Sequence, residues 1–337
     1  MNIYQDITSM WRYGDVFSAE DVSAGEGISL AEGFTPIHEA PRTASRFGYS
    51  RLLIKDESQN PSGSFEDRGA AYTITKMLVQ GAKGIVLQST GNAGASFATY
   101  AARAGLPCHV VVPRDILAVN ADQIRRSGAD LTYLEDWSLA DFACSRIVTA
   151  TGYANVSTTN TPHRVIANQS LGYEIVEQCG RRMPDAIFLP ASGGDSVLAL
   201  KQAFDSICNE ALSPQLFISQ YDGCAPLVAA FCAGLKHVMP SPSVEISGAM
   251  RTAFPRRGAQ VLAAIRSSGG GAHAVSPALA GFFASNCARD DGLGVGLEGG
   301  SALAFAAAAV VSGTLPKSST ILVVNTAGVS KVAPHFF

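Results

Sequence analysis

Short β-branched, apolar runs recur along the chain, separated by longer Ala-rich segments. "SRLLIKDE" (50–57), "GIVLQST" (84–90), "CHVVVP" (108–113), "ADLTYLE" (129–135), "DAIFLPA" (185–191), "LFISQYD" (216–222) and "STILVVNTAG" (319–328) have the length and residue types of strands. Between them, "DRGAAYTITKMLVQG" (67–81), "GASFATYAARAG" (94–105) and "LGYEIVEQCG" (171–180) read as helices. Each closes on a glycine suited to a helix C-terminus. The repeated alternation predicts an α/β fold of mostly parallel sheets with helices on both faces.

In such folds ligands gather at the carboxyl ends of strands and at helix N-termini. Three strand ends here run into small polar residues. In "QSTGNAGAS" a strand stops at Ser89 and a helix follows a tight turn, so Ser89, Thr90 and Asn92 sit at the positive end of that helix. That end suits a substrate carboxylate, and the same residues would also serve as plain helix caps. "PASGGDS" places two glycines between a strand and a helix, where the backbone can approach a phosphate closely. Asp195 in it would repel a phosphate unless it points away or caps the helix. In "VVNTAGVSK", Asn325 or Thr326 could hydrogen-bond a ring nitrogen or could simply end the strand.

Composition narrows the function. The chain has 337 residues, 47% hydrophobic and 16% charged, with a net charge of −3 and no Lys/Arg run. Binding to nucleic acid or to an anionic membrane is disfavoured. The Ala-rich run 301–315 is too short for a bilayer and reads as a buried helix. The N-terminus lacks a basic start followed by an apolar core, so a cytoplasmic enzyme is expected. The seven cysteines include no CxxC pair and read as reduced core thiols rather than as a metal site. No GxGxxG stands between a strand and a helix, which argues against a nicotinamide-binding Rossmann enzyme. Residues 239–257, "MPSPSVEISGAMRTAFPRR", form the least regular stretch and are expected to be a surface loop or lid.

The order of the motifs is more specific than any one of them: "GFTPIHEAPR", "LLIKDESQNPSGSFEDRG", "STGNAGAS", a Gly-rich strand end, then a Thr after the last strand. In that order the chain resembles the fold-type II pyridoxal-phosphate enzymes, and within them the threonine synthase group. The resemblance spans roughly residues 34–331. It implies two parallel-sheet domains with the active site in the cleft between them. Residues 1–80 and 161–337 would form the large cofactor-binding domain, and 81–160 a small mobile domain carrying the substrate-carboxylate loop. Ser89, Thr90, Gly91 and Asn92 would wrap the substrate carboxylate, with Asn92 also contacting the cofactor ring hydroxyl. Phe65 would lie against the cofactor. Ser192, Gly193, Gly194, Asp195 and Ser196 would cradle its phosphate, and Thr326 would meet the pyridine nitrogen. The resemblance also implies a homodimer, an amino-acid or phosphorylated amino-acid substrate, and β- or γ-elimination or replacement chemistry.

One residue departs. After Phe65 the resemblance implies Lys-Asp-Arg, with the lysine forming the Schiff base, and the chain reads Glu66-Asp67-Arg68. A carboxylate cannot form an imine, though it can still act as a general base. Lys55, eleven residues earlier on a predicted strand, is not an obvious substitute. Glu66 is then a natural divergence away from Schiff-base chemistry, an introduced substitution, or an acid/base acting without a covalently held cofactor. Departures in "PASGGDS" and "ANQSLGYEI" lean toward natural divergence. The plainer alternative is a surface residue paired with Arg68 or a nearby lysine. The competing function is a non-catalytic or cofactor-independent scaffold that binds a phosphorylated or carboxylated small ligand.

Overall fold

The last predicted strand shows how a two-faced sheet arises. Ile321 and Val323 enter one apolar cluster with Leu52, Ile54, Phe188 and Phe217. Leu322 and Val324 enter another with Leu53, Ile187, Leu189, Leu216 and Ile218. Successive side chains leave a strand on opposite faces, so a strand that is apolar at every position needs cover on both. A computed structural model, which describes residues 1–158, 160–180, 182–208, 213–241 and 250–331, provides that cover. The chain falls into two compact units. The first takes in Met1–Phe34 and Asn60–Ser170, and the second Thr35–Gln59, Leu171–Ile246 and Met250–Phe337, within the described residues.

The second unit is built on a six-stranded sheet. Its strands are β1 (Ile37–Glu39), β2 (Arg51–Asp56), β7 (Ala186–Pro190), β8 (Gln215–Tyr221), β9 (Gly271–Val275) and β10 (Thr320–Asn325), in the order β1-β2-β10-β7-β8-β9. All neighbours are parallel except β1 and β2. On one face lie α2 (Pro41–Phe47), α11 (Pro277–Asp291) and α12 (Leu297–Val311). On the other lie α8 (Asp195–Ile207), α9 (Pro226–Cys232), α10 (Gly258–Ser267) and the later part of α7 (His163–Cys179). The Ala-rich run forms α12 and is buried along most of its length. Among the described residues no helix is long and apolar enough to cross a membrane.

The first unit has a four-stranded parallel sheet of β3 (Ile85–Gln88), β4 (Cys108–Pro113), β5 (Asp130–Leu134) and β6 (Ala154–Asn155), in the order β5-β4-β3-β6. Ile85, Leu87, Val110 and Val112 pack with residues of α3 (Glu66–Val79), α4 (Asn92–Arg103) and α5 (Ala118–Arg126). Val86 and Val111 turn the other way, toward Cys144 of α6 (Ala140–Thr151). A short α1 (Ala19–Glu26) packs on α3.

All seven predicted strands form, and the parallel α/β expectation holds. The three further strands β1 (IHE), β6 (AN) and β9 (GAHAV) carry few β-branched apolar residues and give no strand signal in sequence. The glycines expected to close helices do so in the left-handed region, with φ of +67° at Gly81, +64° at Gly105 and +55° at Gly180. Of the irregular stretch 239–257, residues 242–249 lie outside the described residues.

Candidate active site

The segment 60–69 is a tight turn leading into α3. Phe65 stands at the N-cap position and offers no capping side chain. The second helical residue, Asp67, instead ties down the preceding turn. The Asp67 carboxylate accepts hydrogen bonds from the Ser62 backbone N–H and the Ser62 hydroxyl, both at 2.6 Å. The Ser62 hydroxyl also meets that of Ser96, on α4, at 2.8 Å. Asp67 is fully buried, and burial pushes its carboxyl up to about 6 despite the Ser62 bonds that pull it down. Arg68, also fully buried, donates to the Ser170 hydroxyl at 3.1 Å. Ser62, Asp67 and Arg68 thus build the frame, and the Ser62–Ser96 contact pins this loop to α4.

Glu66 opens α3 and is half-buried. One of its carboxylate oxygens lies 3.5 Å from Arg164 Nη1. Arg164, on α7, is itself 6% exposed, and its guanidinium lies over the Phe97 ring at 4.8 Å. Gly69 makes room for it: a Cβ there would stand 3.1 Å from Arg164 Cγ. Glu66 therefore reaches a cation from a helix 98 residues further along the chain.

The start of α4 carries the second predicted group. The Ser89 hydroxyl accepts from the backbone N–H of Gly91 at 3.3 Å and of Gly94 at 2.9 Å, so it caps the helix. Thr90 and Asn92 are half-buried, and neither side chain has a hydrogen bond among the described residues. Gly91 occupies the N-cap position. Ser89 holds the loop in place, and the Thr90 and Asn92 side chains add no bond to it among the described residues.

In the second unit, Ser192–Ser196 follow β7, and Thr326 follows the adjacent parallel strand β10. Val323 pairs in register with Phe188, so the two strands end side by side. Gly194 has φ +86°, and a Cβ on it would strike Val261 at 2.7 Å, which reserves the position for glycine. A Cβ on Gly193 would meet nothing within 4 Å. Asp195, the first residue of α8, binds Arg257: Nη1 lies 3.1 Å from one carboxylate oxygen and 2.9 Å from the other. The Ser192 hydroxyl meets that of Thr252 at 2.6 Å. Gln220 braces the strand end, donating to the carbonyls of Ala191 at 3.1 Å and Ser192 at 3.2 Å. The hydroxyls of Ser196 and Thr326 have no hydrogen bond among the described residues. Asn325, the other candidate for a ring nitrogen, is committed elsewhere. Its amide donates to Asp56 at 2.9 Å, and its carbonyl oxygen accepts from the Gly296 N–H at 3.0 Å.

Lys55 is fully buried and ion-paired with the buried Glu174; it also donates to the Thr35 carbonyl at 2.6 Å and to Gln178 at 2.9 Å. Its amine belongs to the fold. Sequence reasoning missed Arg164, Gln220, Thr252 and Arg257, because each acts on a segment remote in the chain and none lies in a recognisable spacing.

Comparison with known proteins places the chain in a family. The chain is 28% identical over 325 residues to threonine synthase of Methanosarcina acetivorans, covering 94% of this chain and 79% of that one. It is also 28% identical, over 326 residues, to threonine synthase of Methanocaldococcus jannaschii, with the same coverage. Maize serine racemase has the same fold, with a TM-score of 0.77 at 20% identity and 94% of each chain covered. Diaminopropionate ammonia lyase from Escherichia coli aligns with a TM-score of 0.80 at 16% identity, over 99% of this chain and 93% of that one. The sequence model of the pyridoxal-phosphate dependent enzymes matches residues 28–327, a span that takes in every candidate residue above. The chain is a member of the pyridoxal-phosphate dependent enzyme family.

Proposed function

We propose that this protein is a threonine synthase-like enzyme of amino-acid metabolism that holds pyridoxal phosphate without a covalent bond. Glu66 replaces the amine. The reaction is elimination or replacement at the β- or γ-carbon of an amino acid. The observation that carries this reading is the intact frame around Glu66. Ser62, Asp67, Ser96 and Arg68 hold the start of α3, and Glu66 stands at its head where the resemblance implies a lysine.

The donor set fits the cofactor's phosphate and ring. The first turn of α8 offers backbone N–H groups, Gly193 opens onto free space, and the Ser196 and Thr326 hydroxyls have no hydrogen bond among the described residues. It does not fit covalent anchorage, because Glu66 has no amine and Lys55 is locked to Glu174. When bound, pyridoxal phosphate supplies an electron-withdrawing ring that stabilises charge beside a substrate carbon. Thr90, Asn92 and the N-terminus of α4 take the substrate carboxylate, and Ser89 keeps their loop in shape. Ser192–Ser196 would hold the phosphate, Thr326 would hydrogen-bond the ring nitrogen, and the resemblance assigns Phe65 to the cofactor as well. Glu66, held by Arg164, accepts a proton from the substrate α-carbon and returns it. A homodimer, implied by the same resemblance, is read by light scattering.

Two titrations test this. Purified protein should bind pyridoxal phosphate, as seen by absorbance, and lose it completely on dialysis. With cofactor present in D2O, it should exchange the α-proton of an amino-acid substrate, and Glu66→Gln should slow that exchange at least tenfold. An absence of affinity for pyridoxal phosphate overturns the cofactor reading. The missing amine also favours a second reading, a scaffold that binds a phosphorylated or carboxylated small ligand without turnover. Binding with no α-proton exchange for any amino acid would select it.

A further inference from the structure

Asp195 puts a negative charge where the reading above needs a phosphate. Among the described residues of the second unit, that charge is paired with the segment before α10. Arg257, immediately before α10, places Nη1 at 2.9 and 3.1 Å from the two Asp195 oxygens, with both side chains largely buried. Five residues earlier, Thr252 meets Ser192 at 2.6 Å. Residues 252–257 therefore grip the loop 192–195 at both ends. The grip is backed by packing: α10 presents Val261 against Gly194, so the loop, α8 and the start of α10 are fitted to one another. A carboxylate at a helix N-terminus is favourable for the helix but competes with any anion sought there. A guanidinium at hydrogen-bonding distance cancels the competition and fixes where the carboxylate points.

We propose that Arg257 is the positioning residue that makes the loop 192–196 a phosphate site, by neutralising Asp195 and, with Thr252, holding the loop open for a phosphate monoester. The proposal deepens the cofactor reading and rests on it. It gives residues 252–257 a function: they set the charge of the cradle, and they tie its shape to the start of α10.

The test compares pyridoxal phosphate with pyridoxal, which lacks the phosphate, by equilibrium dialysis against the full chain. The ratio of the two affinities reads the phosphate contribution alone. In the unmodified protein the phosphorylated form should bind more tightly. In Arg257→Gln the ratio should fall by about tenfold or more, because Asp195 now repels the phosphate, while pyridoxal binding is unchanged. In Asp195→Asn/Arg257→Gln the ratio should recover to within about threefold of the unmodified protein, and Arg257→Lys should keep most of it. A purely structural role would weaken both ligands together and would show no recovery. An unchanged ratio in Arg257→Gln, or a double variant no better than the single one, overturns the inference and leaves the cofactor reading standing. Equal affinity for both ligands in the unmodified protein removes the phosphate site itself, and both readings fall. If Arg257→Gln does not fold, Asp195→Asn alone decides: the ratio should rise, and a ratio that stays level or falls contradicts the proposal.

Discussion

The start of α3 and the loop after β7 each carry a carboxylate where the proposed function asks for something else, and each carboxylate faces an arginine. Asp195 lies 2.9 Å from Arg257, and Glu66 lies 3.5 Å from Arg164. The consequences differ in kind. The task proposed for the loop after β7 is electrostatic, and a neighbouring cation would restore it because charges add. The task at position 66 in the resemblance is covalent, and no ion pair turns a carboxylate into an amine. A change of charge can be compensated from another segment, whereas a change of reactive group must be answered by a different mechanism.

The comparison breaks if some other amine has taken over, and Lys55, a fully buried amine, is the first to test. Lys55→Met should leave the buried Glu174 carboxylate without its lysine and cost about 3–5 kcal/mol in urea unfolding. A small loss of stability joined to a loss of cofactor binding would instead make Lys55 a reactive group. The frame around Glu66 can be read through Asp67. Its carboxyl is raised from 3.8 to about 6, so the protonated form is favoured in the folded chain. The stability this group contributes is fully present below pH 3.8 and is lost as the pH rises through about 6, up to about 3 kcal/mol. Urea midpoints measured across that window should fall with rising pH, and Asp67→Asn should flatten this part of the slope. On the cradle side, Gly194→Val forces a β-branched residue to φ +86° against Val261 and should cost about 1–3 kcal/mol. Pyridoxal phosphate affinity should fall with it. The smallest effect is expected from Asn92→Ala. Amino-acid affinity should fall about tenfold with the melting temperature nearly unchanged, since the side chain makes no hydrogen bond among the described residues.

Much of the fold is legible in the sequence, because strands covered on both faces must be apolar at every position. Val86 and Leu87, or Val323 and Val324, announce that condition without any partner being known. The strand-end loops are legible for a related reason: glycine and small hydroxyl residues concentrate where backbone meets ligand. Gly194 is an example of a loop position that demands glycine, by its φ of +86° and by Val261 behind it. The side chains that tune those loops are not legible. Arg164 reaches Glu66 across 98 residues and Arg257 reaches Asp195 across 62, and a single arginine has no period or spacing to reveal its partner. Capping and ligand binding call for the same residue types, so Ser89 could not be separated from Thr90 and Asn92 until its oxygen was seen to accept from Gly91 and Gly94.

The central claim is that one residue separates this chain from covalent cofactor chemistry. The direct measurement is the intact mass of the unmodified protein and of Glu66→Lys, each mixed with pyridoxal phosphate, reduced with borohydride and desalted. A single pyridoxyl-phosphate adduct on Glu66→Lys, mapped to position 66, with none on the unmodified protein, is the predicted result. An adduct on the unmodified protein, or none on either, would contradict it.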